Sequence, residues 1–227
     1  MELTAFALWL NTALAGFDGA ILGMWHAIAS VLGFILTPLM KLITLLGEKG
    51  LIYFLLALVL MCFSKTRKIG VCVFGAVCCG ALITNIILKD WIARPRPFES
   101  FENFRLWWEA VGSPAEDGFS FPSGHVTATA AGMTALTLML GKRLLVPSAV
   151  WISLMAISRN YLMAHYPTDV LVAIFVGCLS AFIAWLITKL IYRILEDNKQ
   201  IPLFAFVLNF DLPIPSLPGK YKGKHEK

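Results

Sequence analysis

Apolar residues in this chain run in long blocks broken by short polar clusters. Ile69 to Leu88 is almost free of polar interruption, and Val170 to Ile187 holds nothing more polar than Ser180. A hydrocarbon core of roughly 30 Å is crossed by about 20 apolar helical residues, so both blocks are long enough to be spans. The pattern predicts six spans, at about His26–Leu46, Leu51–Phe63, Ile69–Leu88, His125–Leu140, Leu144–Leu162 and Val170–Ile191. The second is short and needs Gly50 and Ser64, or a locally thinned bilayer, to complete it. Buried helices in a soluble core are the competing account, but several such blocks in a chain this short argue against it.

Helix breakers fall where this layout needs them. Pro95 and Pro97 stop the third span, Ser123-Gly124 opens the fourth, Gly141 follows its end and Pro167 marks the start of the sixth. Ahead of the first span, Leu3, Phe6, Leu10, Leu14 and Phe17 recur at helical spacing, so residues 1–25 either lie along the interface or extend that span. Residues 26–198 form the expected membrane domain, and 199–227 read as a Pro- and Lys-rich tail whose Ile201–Leu208 stretch is apolar enough to rest on the membrane surface. The expected fold class is an all-α polytopic membrane helical bundle.

Composition agrees: at 227 residues, 58% hydrophobic and 15% charged, the chain is one domain and an integral membrane protein. The opening Met-Glu-Leu-Thr lacks the basic region of a cleavable signal peptide, and none is expected. The five cysteines all sit inside apolar runs without disulfide or metal spacing, and read as small packing residues. A net charge of +5 could suggest nucleic acid, but the cations are split among short clusters such as Lys65–Lys68 and Lys142-Arg143. Between apolar spans these are topology signals, and no nucleic-acid partner is expected.

Three polar blocks remain: Lys89 to Pro97, Pro122-Ser123-Gly124-His125, and Ser158 to Asp169. The first ends the third span, the second begins the fourth, and the third joins the fifth to the sixth. Because successive spans alternate in direction, all three land on one side of the membrane. Lys89, Arg96 and Arg159 singly could be snorkelling cations; brought together they suit an anion, with Arg offering a planar fork and Lys a compact charge. Arg94 has the same chemistry outside the pattern and reads as a loop anchor. Ser123 and Gly124 at a helix start offer free amides and a close approach for an anion, or simply cap the helix. Pro167 breaks any single helix through His165 and Asp169, which places Asp169 in the first turn of the sixth span. There it can orient the imidazole through one nitrogen, or pair with the helix dipole.

In this order the blocks resemble the type-2 phosphatidic acid phosphatase family, the lipid phosphate phosphatases. The family pattern is Lys, six residues, Arg-Pro; then Pro-Ser-Gly-His; then Ser-Arg, five residues, His, three residues, Asp, and every defining position matches. The resemblance implies that His165 is a nucleophile forming a phosphohistidine, that Asp169 orients it, and that His125 protonates the departing oxygen. It further implies that Lys89, Arg96, Ser123, Gly124 and Arg159 hold the phosphoryl oxygens, with no metal and no cofactor. The implied substrate is a lipid phosphate or diphosphate, with undecaprenyl diphosphate the first choice and phosphatidylglycerol phosphate or phosphatidic acid next. Related sites occur in glucose-6-phosphatase and in the soluble vanadium haloperoxidases. A lipid phosphotransferase with the same nucleophile, or a non-catalytic lipid-binding or transport protein, are the alternatives, and the oligomeric state is left open. Lys65, Arg67, Lys68, Lys142, Arg143, Lys189 and Arg193 lie at the other ends of the spans. The expectation is therefore a plasma (inner) membrane protein whose site faces outward, with both termini cytoplasmic. Trp107 and Trp108, between the first two blocks, read as headgroup contacts or interfacial anchors.

Overall fold

The computed structural model describes residues 4–212, and the described residues contain helices and no strand. Helix α1 (Ala5–Ala13) starts at Thr4, whose hydroxyl accepts a hydrogen bond from Ala7 N, and runs almost directly into α2 (Ala15–Leu46). A single 3-10 turn leads to α3 (Leu51–Met61), with Gly50 in the left-handed region at φ +69°. Helix α4 (Ser64–Ala81), a π-helical turn (Leu82–Leu88) and α5 (Lys89–Ile92) form one rod. Short helices α6 (Pro97–Ser100) and α7 (Glu102–Ala110) follow the Pro95–Pro97 break. Then come α8 (Gly124–Leu140), α9 (Leu145–Tyr161), α10 (Pro167–Asp197) and α11 (Pro202–Asn209). The expected boundaries at Gly124, Gly141 and Pro167 coincide with observed helix ends.

Helix α8 packs against α4, α9 and α10 through small side chains. A Cβ on Gly177 of α10 would lie 2.6 Å from both Ala130 Cβ and Thr127 O of α8, and one on Gly70 of α4 would lie 2.6 Å from Ala57 O of α3. Lipid tails are as apolar as the helices, so association relies on this close van der Waals contact rather than on leaving water. Ala76, Ala131, Ala135, Ala181 and Ala184 fill the core beside Tyr53, while Leu171, Phe175 and Ile187 face outward. Three helical stretches, Ala15–Leu46, Ser64–Ser100 and Pro167–Asp197, are long and apolar enough to cross a membrane by length and composition.

Two features differ from the expected layout. First, α2 does not run from one end of the bundle to the other, although 32 residues make it about 48 Å long. Near its start Asp18 accepts from Thr168 N in the first turn of α10; just past its end, Gly50 abuts Ala128 in the second turn of α8. Both ends therefore contact the half of the bundle that carries the polar blocks, and α2 lies across it. The hydrophobic pattern records only that α2 is apolar, not its direction.

Second, the two ends of the described chain dock at opposite ends of the Ser64–Ile92 rod. Thr4 Oγ1 donates to Ile92 O at 2.5 Å, and Leu10 packs with Ile92 and Phe121. At the other end Leu212 N donates to Cys62 O at 3.1 Å, and Ser64 Oγ donates to Asp211 Oδ2 at 2.8 Å. Arg67, counted above as a topology signal, is buried there and donates to the carbonyls of Met61, Val207 and Phe210, clamping α11 to the α3–α4 corner. The described chain ends, Thr4 and Leu212, thus lie at opposite ends of that rod. Leu3 of the N-terminal apolar series, and the tail from residue 213 onward, lie outside the described residues.

Candidate active site

The three polar blocks meet at one end of the bundle. The π-helical turn delivers Lys89, and Thr84 within it donates to Thr127 of α8 at 3.0 Å, tying the two helices together. Arg96 precedes α6, where Glu99 accepts from its backbone N–H at 2.8 Å. Ser123 and Gly124 begin α8, Arg159 occupies the last turn of α9, and Asp169 the first turn of α10. His165 lies in the turn between those two helices. Lys89, Arg96, Glu116, Gly124, His125 and His165 line a cavity of about 440 Å³ whose remaining wall includes Val77, Gly80, Ala81 and Ala128.

His165 is 1% exposed. Its Nδ1 lies 2.7 Å from Ser120 O; a carbonyl only accepts, so Nδ1 carries the proton and Nε2 keeps the lone pair. Burial, then the charges of Arg96, Arg159 and Lys89, push the imidazole well below its ordinary pKa, against an opposing pull from the Ser120 bond. The ring is therefore neutral at physiological pH, the state a nucleophile needs.

Asp169 does not bond the imidazole directly, its Oδ2 being 3.8 Å from Nδ1. That oxygen accepts from Ser120 Oγ at 2.5 Å and from Tyr166 N at 3.0 Å, while Oδ1 accepts from Arg94 Nη1 at 2.5 Å. Ser120 thus links the two: its hydroxyl donates to Asp169 and its carbonyl accepts the hydrogen bond from His165 Nδ1. The carboxylate is held by its capping bond at the start of α10, and Ser120 covers the remaining gap.

Among the cations, Arg96 is mainly a brace. Its nitrogens donate to Gly118 O at 3.0 Å, Ala164 O at 2.9 Å and Asp117 O at 2.7 Å. Arg159 is different: it is fully buried, yet its Nε and Nη1 have no partner among the described residues. Ser123 Oγ and His125 Nε2 are likewise buried and unpartnered. Orphaned buried polar atoms are costly, and four of them on residues of one site mark where a polar ligand would bind.

Glu116 competes for that place. Its carboxylate bridges Arg96, at 3.0 Å, and Arg159 Nη2. An incoming phosphoryl group must displace this carboxylate or share the two guanidinium groups with it. Glu116→Gln is expected to lower the inhibition constant of inorganic phosphate roughly tenfold, or about 1.4 kcal/mol. Competition assays on the purified protein would show it, and an unchanged or higher constant would refute the competition.

A family model described as the PAP2 superfamily matches residues 69–193, more than half of the chain. The chain belongs to this superfamily. Phosphatidylglycerophosphatase B of Haemophilus influenzae is 41% identical over 110 residues, covering 44% of this chain and 43% of that protein. The undecaprenyl-diphosphatase of Sulfolobus acidocaldarius is 29% identical over 125 residues, covering 55% and 58%. The matched segments thus span about half the length of these relatives. The crystal structure of a transmembrane PAP2-type phosphatidylglycerolphosphate phosphatase from Bacillus subtilis shares the fold, with a TM-score of 0.61 at 24% identity, covering 86% of this chain and 93% of that one. As in that PAP2 fold, this chain is an integral membrane protein.

The PAP2 match contains every site residue expected from the sequence but stops short of α2, which supplies Asp18. Sequence reasoning also missed Ser120, Glu116 and Asn160, whose side-chain amide holds His165 O at 3.0 Å. Arg94, read as a loop anchor, is fully buried and bonded to Asp169. Trp107 stacks on His26 at 4.5 Å and Trp108 on Phe98 at 4.5 Å, so both pack α7 onto its neighbours.

Proposed function

We propose that this chain is a membrane lipid phosphatase working through a phosphohistidine on His165. The four unpartnered polar atoms of Ser123, His125 and Arg159 around the neutral His165 carry the reading. In it, His165 Nε2 attacks phosphorus and the bond to the lipid oxygen breaks, with His125 giving that oxygen a proton. Arg159, Lys89 and the Arg96 nitrogen that now meets Glu116, with the Ser123 hydroxyl and the Gly124 amide end of α8, hold the phosphoryl oxygens as charge develops. Water, losing a proton to His125, then cleaves the phosphorus–nitrogen bond and frees phosphate.

The small apolar residues along the cavity support a substrate with a lipid tail. The relatives' names support undecaprenyl diphosphate and phosphatidylglycerol phosphate as candidate substrates; undecaprenyl diphosphate is kept as the first choice, with phosphatidic acid behind both. We retain residues 26–198 as the membrane phosphatase domain, 1–25 as a segment joined to its site-bearing end, and 199–227 as a tail. The basic residues at the remote helix ends favour a site on the outer face of the plasma membrane. Helix α1 then sits on that outer side and α11 on the cytoplasmic side.

Phosphate release from purified protein, compared across these lipids in EDTA, tests the reading. Fixed cations replace the charge a divalent ion would bring, so the rate is expected to persist without added metal. Dependence on Mg²⁺ would sink this mechanism, and label recovered on a second lipid instead of in solution would make the chain a phosphotransferase.

A further inference from the structure

We infer that Asp18 of α2 is a positioning residue for the reaction: it fixes Arg94, and through Arg94 the Asp169 carboxylate, beside the turn that carries His165. The inference rests on the phosphohistidine reading above. Asp18, Arg94 and Asp169 are all buried. Asp18 Oδ2 accepts from Arg94 Nη2 at 2.8 Å and from Thr168 Oγ1 at 2.8 Å, and Oδ1 accepts from Thr168 N at 3.0 Å. Arg94 directs its other donors to Asp169 Oδ1 at 2.5 Å, Thr168 Oγ1 at 2.8 Å and Asn11 Oδ1 at 2.8 Å.

The same arginine reaches the His165 turn by two further routes. Its guanidinium lies over the Tyr166 ring at 3.7 Å, and its carbonyl accepts from Ser120 N at 2.7 Å. Ser120 is the residue that holds the His165 proton and bonds Asp169. One buried cation therefore sets three neighbours of the nucleophile, and its second carboxylate comes from a helix outside the PAP2 match. Losing one partner of such a buried pair leaves an uncompensated charge, so Arg94 would shift toward Asp169 and disturb Ser120. Asp18 bonds Arg94 and Thr168 and none of Lys89, Arg96 or Arg159, so binding of the phosphoryl group is left intact while its transfer slows.

The test uses the full chain in detergent micelles with a polyprenyl diphosphate. It measures kcat, KM and the single-turnover rate of phosphoenzyme formation. Because small misplacements at a nucleophile are costly, Asp18→Asn is expected to lower kcat and phosphoenzyme formation about 10- to 100-fold with KM within about twofold. In an Arg94→Lys background the same change is expected to add little, since the two act in one chain of contacts. Wild-type kcat in Asp18→Asn, a raised KM at unchanged kcat, or a loss matched by the fraction of unfolded protein would each overturn the inference. Should Asp18→Asn not fold, Asp18→Glu decides, because it keeps the charge but displaces the carboxylate: native kcat overturns, and reduced kcat at native KM supports. A wild-type protein that forms no phosphoenzyme sinks the phosphohistidine reading itself. A wild type that forms it while both Asp18 variants behave natively sinks only the positioning role.

Discussion

His165→Ala is expected to slow phosphate release by at least about 10⁴-fold and to abolish any acid-labile phosphoenzyme. Alanine removes the only imidazole in the cavity whose Nδ1 is committed to Ser120 O, and so the Nε2 lone pair that bond leaves free. His125 cannot substitute, because it sits at the start of α8 and lacks that tether. Quenched-flow trapping with labelled substrate reads the intermediate directly. Retained activity above one part in about 10² would mean that another group attacks phosphorus.

Arg159→Met is expected to lower kcat by about 10²–10³-fold, the usual cost of removing a preorganised donor to developing charge. Arg159 is the buried site cation with two nitrogens unpartnered, whereas Arg96 gives its donors to backbone carbonyls. Methionine keeps much of the volume and hydrophobic contact, so folding should survive. Arg159→Lys should rescue poorly, since an ammonium cannot reproduce the planar fork. Steady-state kinetics on both variants decide the matter: activity near native in Arg159→Lys would show that charge alone suffices.

Much of the site was legible because its chemistry is carried by short blocks at helix ends, and alternating helix directions bring such ends together. The observed helix starts at Gly124 and Pro167 follow from local backbone rules, and needed no tertiary knowledge. Glu116 was not legible, because a carboxylate in a loop with other acids has no period or spacing to mark it. Asp18 did leave a trace: it is a lone carboxylate in an apolar stretch, and such a residue is costly unless paired. Its partner, Arg94, lies 76 positions away, and no local pattern spans that distance.

The sequence by itself determined the solvent, the helices and the polar blocks that meet at the site. Several apolar blocks near the length of a bilayer crossing in so short a chain favour membrane helices, and the spacing of Lys89, Arg96, His125, Arg159, His165 and Asp169 is a local property of the chain. Tertiary structure alone decided that α2 lies across the site-bearing half, that α1 and α11 dock at opposite ends, and that Ser120 and Arg94 mediate between Asp169 and its surroundings. These depend on which faces pack and which buried charges find partners. Hydropathy sees only whether a residue avoids water, not which neighbour it meets.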